Sequence, residues 1–141
     1  MTIAVAHDDT PEGLAALVHA AREAAFRQTS LAVLHVFTST APAQSLDEAV
    51  LKQRIAESLA EAGHRLPAWR LHTVTVAGSR AESLVELTEQ VDAELLVMGS
   101  RRRTPIGKFL LGSTVQRVIL DSPVPVLVVK APGPTTGATS H

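Results

Sequence analysis

One stretch of this chain concentrates the residue types that hold a phosphate. Between an apolar run ending at Met98 and a helical pattern opening at Ser113 or Thr114 lie three glycines (Gly99, Gly107, Gly112) and four cations (Arg101, Arg102, Arg103, Lys108). Glycines let backbone N–H groups come close to an anion, and a helix N-terminus presents unpaired N–H groups with a partial positive charge. Ser113 and Thr114 add hydroxyl donors beside them. A solvated basic loop, with Ser113 serving only as a helix cap, accounts for the same residues. A Walker A loop does not: Gly107-Lys108 would require glycine at 102 and Ser or Thr at 109, where the chain has Arg102 and Phe109.

The second chemical cluster is His7-Asp8-Asp9-Thr10, which follows the first apolar run. Asp8 and Asp9 resemble the acidic pair that holds Mg2+ in response-regulator receivers. That reading needs an acceptor aspartate after the third strand, where Val76-Ala77-Gly78-Ser79 stands instead. Asp8 also suits a turn, and Asp9 or Thr10 equally suits the cap of a helix begun by Pro11. The six histidines show no ligand spacing, and Ser100 and Ser113 lack the context and base of a nucleophile. His35 reads as a hydrogen-bonded residue of a buried strand, and His7 as a bystander near the site. Trp69 stands alone, so no stacking platform for single-stranded nucleic acid is visible.

The elements that must position these residues follow from periodicity. Apolar, β-branched runs at Ile3–Ala6, Leu31–Phe37, Leu71–Val76, Leu95–Met98 and Val124–Val129 predict five strands. Between them, Leu14, Leu17, Val18, Ala21 and Ala25 predict the inward face of a first helix. Ser45 and Glu48 in capping-box spacing open a second, which carries Leu51, Ile55, Leu59 and Ala62 and ends near Gly63. Ser79 and Glu82 open a third, with Leu84, Leu87, Thr88 and Val91. A fourth buries Val115, Val118 and Ile119 and stops at Asp121-Ser122-Pro123. Strict β-α alternation predicts a mostly parallel sheet with helices on both faces. Pro125 puts the last strand at an edge. In such a sheet ligands sit outside the carboxyl ends of the strands, where the strand order reverses. Both clusters lie there.

Composition narrows the classes further. The chain has 141 residues, enough for one domain with a core, taken as 1–131 with 132–141 a disordered tail. Thirteen basic residues against fourteen acidic ones leave no excess for binding a duplex nucleic acid. There is no cysteine, which excludes disulfides and thiolate chemistry. No run is long enough for a membrane span and no basic n-region precedes the first strand, so a cytoplasmic location is expected.

The residues after the fourth strand resemble the universal stress protein family. Its members carry Gly-2x-Gly-9x-Gly-[Ser/Thr] there, and this chain has Gly99-2x-Arg102-9x-Gly112-Ser113. The flanks are similar as well. Ala93-Glu94-Leu95-Leu96-Val97-Met98 looks like the family's fourth strand, and Thr114-Val115-Gln116-Arg117-Val118 with Ser122-Pro123-Val124-Pro125-Val126 looks like its closing helix and strand. Val5-Ala6-His7-Asp8 and Leu34-His35-Val36 are similar to its first two strands.

The resemblance implies an open parallel five-stranded sheet of order 3-2-1-4-5, of the adenine nucleotide alpha hydrolase-like type. It also implies a homodimer, often through the last strand, and in one branch ATP binding, with AMP or ADP as related ligands. Carried over residue by residue, the nucleotide site comprises Ala6, Asp8, Val36, Gly99, Arg102, Gly112, Ser113 and Thr114. Asp8 lies near ribose, phosphates and an Mg2+ ion, and Val36 supplies backbone contacts to adenine.

Two departures stand out. Arg102 replaces the second glycine, at a strain of about 1–3 kcal/mol if that position needs φ > 0, although its charge suits phosphate. Asp9 adds a carboxylate that would repel a phosphate unless Mg2+ sits between them. No residue is placed to activate water. The expectation is therefore a stress-sensing or signalling protein rather than an enzyme, with at most slow, incidental hydrolysis. A dimeric interaction module of the same fold, with its site decayed, is the alternative.

Overall fold

Residues of the central strands alternate between two apolar faces, and this alternation builds the molecule. The computed structural model describes residues 1–37, 44–62, 68–76, 78–100 and 111–131. In chain order the elements are β1 (Thr2–Ala6), α1 (Pro11–Arg27), β2 (Ser30–Phe37), α2 (Gln44–Glu61), β3 (Trp69–Thr75), α3 (Arg80–Gln90), β4 (Ala93–Ser100), α4 (Ser113–Asp121) and β5 (Val126–Lys130). All pairings are parallel and the sheet order is β3-β2-β1-β4-β5. The fold class expected from the sequence is thus the one observed.

Ile3, Val5, Leu31, Val33, Leu95 and Val97 face one way and pack with α1 and α2. Ala4, Ala6, Leu34, Val36, Leu96 and Met98 face the other way, towards α3 and α4. Period-two alternation with both faces covered explains why these strands read as unbroken apolar runs.

The helices begin and end where local chemistry dictates. Thr10 caps α1, its hydroxyl accepting from the Gly13 N–H at 3.0 Å, with Pro11 at the first helical position. Of the two cap candidates, Thr10 has the role. The capping box of Ser79 and Glu82 on α3 is complete in both directions, at 3.1 and 3.0 Å. On α2, Leu51, Ile55 and Leu59 are buried as expected. That helix already includes Ser45 as its second residue, so it starts earlier than expected from the sequence. Residues 38–43 and 63–67 lie outside the described ones.

Two helix faces differ from expectation. Leu14 is 47% exposed and Val18 and Ala25 are only half-buried, while Gly13, Ala16, Leu17, Ala20, Ala21 and Ala24 form the buried stripe of α1. Small residues let the helix backbone settle close to β1 and β4, and that close approach rotates Leu14 outwards. On α4, Val115 and Val118 are buried but Ile119 is 42% exposed, because this short helix presents only a narrow face to the sheet.

Candidate functional site

The crossovers from β1 and β4 leave the sheet in opposite directions, so a crevice opens at their adjacent carboxyl ends. It is a cleft of about 220 Å3 lined by Ala6, Asp8, Thr10, Glu12, Arg80, Met98, Gly99, Gly112, Ser113, Thr114 and Val115. Six of the eight residues expected at the site therefore converge. Val36 does not line the cleft; it is buried among the side chains beneath α3 and α4. Arg102, with Arg101, Arg103, Gly107 and Lys108, lies outside the described residues.

The glycines divide into two kinds. A Cβ on Gly99 would run into the Glu12 backbone in the first turn of α1. Gly99 is therefore required by packing, in addition to facing the cleft. Gly112 has φ −64° and ψ 158°, which any residue adopts, and no atom stands within 4 Å of the place of its Cβ. It is the N-cap of α4, and no side chain caps that helix. Ser113 is the first helical residue and is exposed, so it does not act as the cap. Glycine has no side chain to cap with, so the cap itself offers no acceptor to the first N–H groups of α4, which start at residues lining the cleft.

On the opposite wall, Asp8 is tied into a fixed geometry. Its Oδ1 accepts from the Thr10 N–H at 3.1 Å and from the Thr10 hydroxyl. Its Oδ2 faces the Arg80 guanidinium at 3.7 Å, and Arg80 also reaches the His7 carbonyl at 3.5 Å. Among the described residues, the cleft thus sets the start of α4 and the Arg80 guanidinium against two carboxylates, Glu12 and Asp8, the latter held in a known orientation. Anion binding at one end and hydroxyl recognition at the other are the chemistries this arrangement supports.

Arg80 was missed in the sequence. Its signal was available: it opens the helix after Gly78-Ser79, at the carboxyl end of β3, where ligand-facing residues belong. Asp9, expected to repel a phosphate, does not line this cleft. Its carboxylate pairs with Arg54 at 3.7 Å and faces a separate cavity of about 480 Å3 between α1 and α2. A side chain next to Asp8 in sequence has turned to the other face of the sheet.

His7 lines that second cavity and meets His35 with an Nδ1–Nδ1 distance of 3.1 Å. His35 also packs edge-on against Phe37, with ring centroids 4.8 Å apart. His35 is hydrogen-bonded as expected, although half-buried, and its partner is the histidine that seemed incidental. Burial lowers both pKa values from 6.5; nearby Asp9 and Asp8 oppose the shift at His7, and charge on His7 reinforces it at His35.

An Mg2+ ion needs several oxygen ligands in near-octahedral array. Asp8 is the carboxylate expected to supply one. Its Oδ1 is already taken twice by Thr10, and its Oδ2 faces a guanidinium. Among the described residues, no group of three or more His, Cys, Asp or Glu side chains is placed to hold a metal ion. The described donor set does not fit an ion held by the protein.

A parallel sheet of this order, with a glycine-lined crevice at its switch point, defines an α/β protein of the adenine nucleotide alpha hydrolase-like class. The model of the universal stress protein family matches residues 1–130, and the chain belongs to that family. A universal stress protein of Mycolicibacterium smegmatis is 35% identical over 136 residues, spanning 93% of this chain and 98% of that protein. A universal stress protein of Archaeoglobus fulgidus superposes with a TM-score of 0.74 at 27% identity, over 92% of this chain and 98% of that one. A universal stress protein solved in complex with cAMP superposes at 0.71 with 28% identity, over 94% and 98%.

Proposed function

We propose that this chain binds ATP or a related adenine nucleotide in the cleft between β1 and β4, and acts in stress sensing or signalling rather than in turnover. The observation that carries the reading is the meeting of Ala6, Asp8, Gly99, Gly112, Ser113 and Thr114 around one crevice, with no described side chain capping the start of α4. Phosphate oxygens would accept from the N–H groups after Gly112. The Asp8 carboxylate would accept from ribose hydroxyls, its orientation fixed by Thr10. The relative solved with cAMP supports an adenine nucleotide as the ligand class.

Asp8 is engaged by Thr10 and Arg80, which leaves it poorly placed to act as a base for water. The reading therefore assigns no hydrolytic role. Homodimerisation goes with it. β5 is an edge strand whose apolar residues are only half-buried, and α4 beside it exposes Leu120 at 78%. A cytoplasmic location is part of the same reading; among the described residues no helix is long and apolar enough to cross a membrane.

Mass spectrometry of the denatured, purified protein tests whether an adenine nucleotide co-purifies. Titration with ATP and with AMP should raise Tm, because ligand at a hundredfold excess over Kd stabilises the native state by about 2.7 kcal/mol. No bound nucleotide, together with no shift at millimolar concentration, would leave the interaction module as the better account.

A further inference from the structure

We propose that Arg80 takes the place of a divalent cation at this site, so that the chain binds the phosphate of its nucleotide without a metal ion. The inference rests on the nucleotide reading above and adds to it the form of the ligand: a nucleotide not complexed to a divalent cation.

The placement of Arg80 is the argument. It is the first residue of α3, and that start is rigid: Gly78 turns the chain with φ 114° and the Ser79–Glu82 capping box fixes the first turn. From there the guanidinium crosses the carboxyl end of β1 and faces Asp8 Oδ2. A cation in the first turn of a helix works against the helix dipole, and Glu82 in the same turn and Asp8 across the cleft oppose that cost. The Asp8 contact of 3.7 Å is too long for a close charge-assisted bond, and the contact to the His7 carbonyl at 3.5 Å is at the limit. Arg80 thus offsets the charge of Asp8 while keeping donors for an anion in the cleft that both side chains line together with Glu12. With Asp8 Oδ1 held by Thr10, the charge and the coordination position that a divalent ion would supply are already filled.

Isothermal titration with AMP and ATP, in EDTA and in Mg2+, provides the test. The wild type should bind with the same affinity, within about twofold, in both buffers. Arg80→Gln should weaken binding at least about tenfold in EDTA and recover part of it in Mg2+, whereas Arg80→Lys should retain most of the affinity. A wild type that loses affinity on chelation, or an Arg80→Gln variant that binds like the wild type, overturns the proposal.

A nucleotide-free measurement separates this from failure of the nucleotide reading. Mn2+ should broaden the amide signals of Thr10 and Gly13 in Arg80→Gln, by an amount that Asp8→Asn removes, and should produce no such Asp8-dependent broadening in the wild type. If no variant binds nucleotide, the functional reading fails and the Mn2+ result decides the role of Arg80. Broadening confined to Arg80→Gln supports it; Asp8-dependent broadening in the wild type, or none in either protein, overturns it.

Discussion

Gly99→Ala and Gly112→Ala add the same methyl group to two glycines of one cleft, and the structure predicts opposite consequences. At Gly99 the new Cβ falls on the Glu12 backbone. That turn of α1 is held by the Thr10 cap, and a backbone wall cannot swing aside as a side chain would. Overpacking of this kind costs about 1–3 kcal/mol. For a chain of this size each kcal/mol lowers Tm by roughly 3–5 °C, so the expected fall is roughly 3–15 °C.

At Gly112 the backbone angles suit alanine and the space is open. Alanine is a poorer N-cap than glycine by roughly 0.5–1 kcal/mol, while the stiffer unfolded chain returns about 0.4–1 kcal/mol. Stability should stay within about 0.5 kcal/mol of the wild type. The methyl group would instead project over the open end of α4, and nucleotide affinity should drop at least about tenfold, or ~1.4 kcal/mol. Urea midpoints at unchanged slope and isothermal titration read the two effects separately. A Gly112→Ala protein as destabilised as Gly99→Ala, or a Gly99→Ala protein as stable as the wild type, would refute the geometry of the cleft.

The His7–His35 pair predicts a pH dependence of stability. Burial lowers both pKa values from 6.5, so the unfolded chain takes up protons first. Stability is then complete above pH 6.5 and falls as pH drops below it, levelling once the native rings protonate. The slope is at most about 1.4 kcal/mol per pH unit per ring, and urea midpoints for wild type and His7→Asn should show it flattened in the variant. For the proposed dimer, the wild type should sediment as a dimer and Leu120→Glu as a monomer with an unchanged circular dichroism spectrum; a monomeric wild type would contradict the interface.

Much of the fold was legible because strands and helix starts are written locally. Alternating β-branched runs gave the strands to within a few residues, and Ser79-x-x-Glu82 announced a helix that begins at Arg80. Helix faces were less legible. On α1 both Leu14 and the Gly13-Ala16-Ala20-Ala24 stripe fit a 3.6-residue period, and only the closeness of β1 and β4 decides between them. The site was legible in its glycines and in Asp8, whose positions after strands follow from chain order. The position of Arg80 after β3 was legible too, but its partners, Asp8 and the His7 carbonyl, were not, because they come from a distant part of the chain.

The sequence alone determined the order of elements, the parallel sheet they build, and the end of that sheet at which a ligand would sit, since all three follow from short-range periodicity and turn chemistry. Tertiary structure decided the rest. It turned Asp8 towards Arg80 and Asp9 towards Arg54, joined His7 to His35 across 28 positions, and made Gly99 a packing residue while leaving Gly112 open. The physical reason is that a residue's neighbours along the chain set its backbone, whereas its partner is whatever the crossovers bring within a few ångströms.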